Sequence, residues 1–202
     1  MKITKGKNII TVEDYGSFDL GLSVDCGQAF RWVQNEQGKW CGIVGGRYLE
    51  AEQKDGKLTL YTSEEDFENL WRNYFDLDTD YAKLCENFCA DESLKTATEC
   101  CPGIHILKQE PWEALCSFII SQNNNIPRIK GIITRLCENF GEKVENGYAF
   151  PSAEVLSKLT VEDLAPLRSG FRAKYIIDAA QKVSNGEVDF DRIKTEPIDF
   201  GR

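Results

Sequence analysis

Apolar residues over the first sixty positions fall in short runs broken by turn chemistry. Phe30 to Val33, Trp40 to Val44, Arg47 to Ala51 and Leu58 to Thr62 are rich in β-branched and aromatic residues. Between them lie Asn35-Glu36-Gln37-Gly38, Gly45-Gly46 and Lys54-Asp55-Gly56-Lys57. Short runs of this kind, bounded by Asn, Asp and Gly, predict an antiparallel sheet joined by hairpins across residues 8–62. The period then changes. Thr62-Ser63-Glu64-Glu65 offers a helix cap with an acidic first turn, and Phe67, Leu70, Trp71 and Tyr74 follow at helical spacing. Further helices are predicted over residues 79–90, 91–101, 111–122, 126–140, 152–159, 161–167 and 171–184, with Gly141, Gly147 and Gly186 as terminators. The break Cys101-Pro102-Gly103-Ile104 divides an α+β domain, 1–103, from an all-helical domain, 104–202. The tail after Asn185 is polar and lacks a clear period.

Composition changes this picture in two ways. At 202 residues and 42% apolar content the chain can bury a proper core. Its formal charge of −9 argues against a protein that coats nucleic acid without discrimination. The charge is uneven, however. Residues 1–120 carry 12 Lys/Arg against 21 Asp/Glu, whereas residues 121–182 carry 9 against 7. The eight cysteines, with no secretory signal pattern and no apolar run of spanning length, read as buried thiols of a protein in a reducing, intracellular compartment. Cys85, Cys89, Cys100, Cys101 and His105 are the one group to weigh as a metal site; their spacing matches no common zinc pattern, so neither metal nor cofactor is expected.

The most informative stretch is Ser121-Gln122-Asn123-Asn124-Asn125-Ile126-Pro127-Arg128. Upstream, Trp112, Leu115, Cys116, Phe118 and Ile119 repeat at helical spacing; downstream, Ile126, Ile129, Ile133, Leu136, Cys137 and Phe140 do the same. Two buried helices therefore meet at an amide-rich corner. Asn competes with the backbone for hydrogen bonds, so each amide has two open readings: a helix cap, such as Asn125 ahead of Pro127, or a side chain offered to a partner.

This segment resembles the amide-Arg motif of the 8-oxoguanine DNA glycosylases, and two further segments resemble the same family in the same order. They are Gly27-Gln28-Ala29-Phe30-Arg31-Trp32 and Gly170-Phe171-Arg172-Ala173-Lys174-Tyr175. The resemblance runs from about Phe18 to Ile198. It implies a TBP-like antiparallel-sheet domain followed by a helical glycosylase domain, here incomplete. It also implies excision of oxidised guanine from double-stranded DNA that carries 8-oxoguanine opposite cytosine, with strand cleavage through a lysine Schiff base. By resemblance Asn123 occupies the vacated space, Arg128 and Arg172 hold the estranged cytosine, and Phe171 wedges beside it. Gly27 would offer its carbonyl to N7–H of the lesion.

The family's glycine-rich hairpin, of the form L-P-G-V-G-x-K-x-A, does not occur in this sequence. Pro102 to Lys108 lacks its second glycine, and Lys174 and Lys182 stand in helical contexts without a hairpin. The expectation is a truncated enzyme that contacts DNA but supplies no catalytic residue, monomeric once completed. The rival expectation is a non-catalytic DNA-binding or protein-interaction module.

Overall fold

A computed structural model describes residues 1–100 and 103–195. The architecture is α+β, as the pattern predicts. The chain divides into two units, Met1–Gln109 and Glu110–Arg202.

The first unit is built on a six-stranded antiparallel sheet: β1 (Lys2–Gly6), β2 (Ile9–Glu13), β3 (Val33–Gln34), β4 (Trp40–Val44), β5 (Arg47–Lys54) and β6 (Lys57–Tyr61), in the spatial order β1-β2-β6-β5-β4-β3. Pairing of Ile10 with Leu60, Ala51 with Leu60 and Val12 with Leu58 puts these residues on one face, where each has no exposed surface. Helix α1 (Leu20–Asp25) follows the first hairpin, capped by the Asp19 side chain on the Leu22 N–H. The buried face of the sheet is covered by a helical stretch of three pieces: α2 (Glu64–Asp66), a π-helical turn (Phe67–Trp71) and α3 (Arg72–Tyr74). Phe67, Trp71 and Phe75 join Trp32 in the core. Gly42 makes room for that indole, since a Cβ there would lie 2.6 Å from the Trp32 ring. Helices α4 (Tyr81–Phe88) and α5 (Glu92–Cys100) complete the unit and bury no residue.

The sequence pattern misses two elements here and overextends a third. β1 is an edge strand with almost no buried position, held by pairing and by the Lys2–Glu13 bridge, so it has no alternation to read. Helix α1 is too short to show a period. The Phe30–Val33 run is a strand only at its end, because Trp32 leaves the sheet edge to enter the core, where Nε1 donates to the Tyr74 hydroxyl at 2.9 Å.

The segment 103–109, of which the Pro-Gly break assigns residues 104–109 to the second half, packs with the sheet unit. Gly103 O accepts from Asp19 N at 2.8 Å, His105 N donates to Ser23 Oγ at 3.0 Å, and Lys108 N donates to Tyr74 O at 2.9 Å. Leu107 is part of the core. Gly103 has φ +93°, and a Cβ there would stand 2.0 Å from Ser17 O.

His105 lies inside this seam at 2% exposure. Its Nδ1 is 3.0 Å from Phe75 O, its ring stacks on Tyr81 at 3.7 Å, and Nε2 is buried with no hydrogen-bond partner among the described residues. Nδ1 therefore carries the proton as a donor. Burial pushes the imidazole below its ordinary value, an effect only partly offset by the Phe75 carbonyl and Asp76.

The second unit contains α6 (Pro111–Ser121), α7 (Ile126–Phe140), a small hairpin of β7 (Lys143–Val144) and β8 (Gly147–Tyr148), α8 (Ala153–Leu156), a 3-10 turn (Ala165–Leu167), α9 (Arg172–Ser184) and α10 (Phe190–Thr195). Helix α10 falls in the tail that looked aperiodic; its opening N–H groups at Asp191 and Arg192 are held by Asp189 rather than by an apolar face. The core is Cys116, Ile120, Ile129, Ile132, Ile133, Leu136, Leu156, Leu164, Leu167, Ile176 and Ala180, all under 5% exposed. Burial raises the Cys116 thiol well above its usual range, which makes it an inert apolar group.

Two outcomes follow for the sheet unit. Gly103→Ala is expected to destabilise the chain by more than about 2 kcal/mol, through the blocked backbone approach and the left-handed φ, and urea unfolding followed by tryptophan fluorescence measures it. Below about pH 6.5 the unfolded chain takes up a proton on its histidine, whereas folded His105 does so only at lower pH. Stability is therefore present above that value and falls as acid is added, down to the depressed folded value. His105 is the only histidine, so His105→Gln should flatten this part of the pH–stability curve.

Candidate nucleic-acid interface

Helix α6 ends at Ser121 and α7 begins at Ile126, and the three Asn between them divide the work. Asn125 is the α7 N-cap: its Oδ1 accepts from Arg128 N at 3.1 Å. Asn124 Nδ2 donates to Ile120 O at 3.0 Å, and its Oδ1 accepts from Asn125 N. Both amides are structural. Asn123 is different: it stands exposed in the left-handed region, φ +49°, and its side chain makes no hydrogen bond among the described residues. An Asn tolerates this conformation at small cost, whereas most residues do not. Two positions into α7, Arg128 is exposed, with its guanidinium likewise unpaired among the described residues.

The second motif arrives from α9. Phe171 is 55% exposed at its start, edge-on to Tyr175 at 6.3 Å. Arg172 lies over the Phe171 ring, with Cζ 4.5 Å from the centroid. Arg172 is only 2% exposed, and its guanidinium reaches across to the α6–α7 corner. Nε donates to Gln122 O at 3.0 Å, Nη2 donates to Gln122 O and to Asn123 O at 2.8 Å, and Nη1 donates to Ser169 O at 3.2 Å. Four of its five N–H groups are thus taken by main-chain carbonyls. The reason is local. The carbonyls of Gln122 and Asn123 lie just past the C-terminal end of α6 with no main-chain partner among the described residues, and a planar cation fits both at once. The structure therefore brings Asn123, Phe171 and Arg172 together and sets Arg128 one helical turn away.

Beside this cluster a groove of about 470 Å³ opens between α6 and α9, lined by Leu115, Phe118, Ile119, Gln122, Phe171 and Tyr175 among others. Phe118, expected within the buried face of α6, is 66% exposed. The signal was present in the sequence: α6 is apolar on more sides than one buried face requires.

In the sheet unit, Gly27 has φ +93°, a conformation that suits glycine. The adjoining Gln28 braces the loop: Nε2 donates to Ser23 O and His105 O, both at 2.8 Å, while Oε1 accepts from Leu107 N at 3.1 Å. Among the described residues no three His, Cys, Asp or Glu side chains are grouped closely enough to hold a metal ion; Cys101, one member of the sequence cluster, lies outside them. Lys182 is paired with Asp178 at 3.0 Å, and that contact raises its pKa, the opposite of what an amine nucleophile needs.

Residues 10–115 match the 8-oxoguanine DNA glycosylase N-terminal domain, and residues 116–199 match the HhH-GPD superfamily of base excision DNA repair proteins. The chain belongs to the 8-oxoguanine DNA glycosylase family. An N-glycosylase/DNA lyase of Saccharomyces cerevisiae is 32% identical over 84% of this chain and 50% of its own length. The Arabidopsis thaliana N-glycosylase/DNA lyase OGG1 is 28% identical over 78% and 46%. The chain thus spans about half the length of these relatives. The solved 8-oxoguanine glycosylase/lyase of Clostridium acetobutylicum, bound to double-stranded DNA with cytosine opposite 8-oxoguanine, is 38% identical with a TM-score of 0.92, covering 97% of this chain and 69% of that one. A 3-methyladenine DNA glycosylase of Archaeoglobus fulgidus shares the fold at 21% identity.

The division of labour among the amides can be measured. Asn125→Ala removes a helix cap and is expected to cost about 1 kcal/mol. Asn123→Gly keeps the left-handed turn and should change stability by less than about 0.5 kcal/mol. Denaturant unfolding of both variants checks the contrast, and equal losses would show that Asn123 is structural too.

Proposed function

We propose that this chain recognises double-stranded DNA containing 8-oxoguanine opposite cytosine, in the base-excision reaction of an N-glycosylase with lyase activity. One observation carries the proposal. The α6–α7 corner presents an unpaired amide, Asn123, and, in the first turn of α7, an unpaired guanidinium, Arg128, while Arg172 ties that corner to the exposed ring of Phe171. Extruding a base leaves a hole in the stack and an orphaned partner, and these residue types answer both needs.

Asn123 enters the space left by the lesion. Arg128 donates to the N3 and O2 acceptors of the estranged cytosine, and the one N–H of Arg172 not held by a carbonyl adds to that grip. Phe171 replaces lost stacking, a task that needs a ring and not a hydroxyl. In the sheet unit, the Gly27 carbonyl accepts N7–H of the oxidised base; ordinary guanine has no such proton and would leave the acceptor unpaired, at about 1 to 3 kcal/mol. The groove beside Phe171, apolar and flanked by aromatic side chains, suits the flat face of a base. The overall charge of −9 makes binding depend on these local contacts, since the protein as a whole repels a phosphate backbone. These residues hold DNA; none of them breaks the glycosidic bond.

Fluorescence anisotropy on duplexes with 8-oxoguanine or guanine opposite cytosine tests the reading. The lesion duplex is expected to bind more tightly, and Arg128→Ala and Asn123→Gly should each weaken it about tenfold. Equal affinity for the two duplexes, unaffected by either substitution, would refute DNA recognition by this corner. Borohydride trapping of the chain on the lesion duplex should give little covalent product; efficient trapping would mean that one of its own lysines is the nucleophile.

A further inference from the structure

We infer that Arg172 is a positioning residue for Asn123: by holding the Gln122 and Asn123 carbonyls it fixes the left-handed turn that presents the Asn123 amide. The inference rests on the DNA reading above and deepens it.

Arg172 is the first residue of α9, where a cation meets the positive end of its own helix and gains nothing from it. Its position makes sense against the other helix. The carbonyls it binds lie just past the C-terminal end of α6, the negative end, where a cation is favoured. Neither Gln122 O nor Asn123 O has another hydrogen-bond partner among the described residues, since Asn124 Nδ2 is spent on Ile120 O. Without the guanidinium these two adjacent carbonyls would lose their only protein partner among the described residues, and with it the contact that holds the Asn123 turn at φ +49°. A lysine cannot do this work, because one ammonium does not span Gln122 O, Asn123 O and Ser169 O as a planar fork does.

The approach of Arg172 is itself fixed from behind. Arg135, on α7, donates from Nε and Nη2 to Leu167 O at 3.1 and 2.8 Å. That carbonyl closes the 3-10 turn just before Arg168 and Gly170, both at positive φ, lead the chain into α9. Gly131, one turn earlier on α7, leaves room for this guanidinium: a Cβ there would stand 3.2 Å from Arg135 Nη1. Two arginines thus brace the two loops that carry Asn123 and Phe171.

The test uses the whole chain and two duplexes, one with 8-oxoguanine opposite cytosine and one with 8-oxoguanine opposite an abasic-site analogue, which has no base for Arg172 to touch. Arg172→Ala is expected to weaken both duplexes about tenfold, and Arg172→Lys to restore less than half of that loss. On the duplex with the abasic-site analogue, where Arg172 has no base to grip, adding Arg172→Ala to Asn123→Gly should cost less than a further twofold, because the amide being positioned is already gone. A loss confined to the cytosine duplex, or losses that multiply in the double variant on the abasic-site duplex, would overturn the positioning role. Should Arg172→Ala fail to fold, amide hydrogen exchange in Arg172→Lys decides: faster exchange at residues 123–125 supports the role, and unchanged exchange overturns it. The DNA reading fails separately, if Arg128→Ala and Asn123→Gly leave the cytosine duplex untouched.

Discussion

A helix that ends inside a folded unit leaves carbonyl groups pointing at the next segment, and something must satisfy them. In the helical unit the last turn of α6 is met by Ser121 Oγ, Gln122 N and Asn124 Nδ2, and the two carbonyls that follow, of Gln122 and Asn123, by Arg172, whose guanidinium also takes Ser169 O while resting on the Phe171 ring. The contact joins the end of α6, the loop before α9 and the first turn of α9 in one fan of hydrogen bonds. Around this contact stand the left-handed Asn123, the outward Phe171 and, two residues on, an α7 that begins with its own cap at Asn125.

The sheet unit solves a parallel problem with a neutral group. Its irregular segment 103–109 runs past the loop at Gly27, and the Gln28 side chain serves both, donating to two carbonyls and accepting from one N–H. The Gln109 amide returns the favour by donating to Gln28 O at 2.6 Å. In each unit, a single forked side chain ties non-repetitive backbone to a motif that the family resemblance marks for DNA. Irregular backbone cannot satisfy itself as a helix or ladder does, so it is fixed by side chains whose several donors and acceptors act together.

Charge is what sets this chain apart from a general nucleic-acid binder. A protein with a net charge of −9 gains little from non-specific attraction to phosphate. Arg128 and the neighbouring Lys130 lie in the stretch of the chain where positive charge is in slight excess. A small cationic corner in an acidic protein favours binding that depends on a distorted or opened site, where the few available contacts are directional rather than electrostatic in bulk.

Much of this was legible in the sequence because it depends on local chemistry. Hairpin turns, the sheet period, the helices around the amide corner and the α+β order follow from residue type and spacing, and the motif triplet pointed to the family. The motifs also singled out Asn123, Arg128, Phe171 and Arg172 as candidates. They did not show what each one does. Asn123, Asn124 and Asn125 are identical side chains; one caps α7, one holds the Ile120 carbonyl near the end of α6, and one is left free, and only the path of the backbone separates them. Nothing in the sequence joins Arg172 to the carbonyl of Gln122, fifty positions away in the chain. Segment 103–109 follows a Pro-Gly break and yet belongs with the sheet, since its partners, Asp19, Ser23, Gln28 and Tyr74, are distant in sequence. Propensity and period are properties of neighbours along the chain, whereas the satisfaction of buried carbonyls is decided by whatever the fold brings within 3 Å.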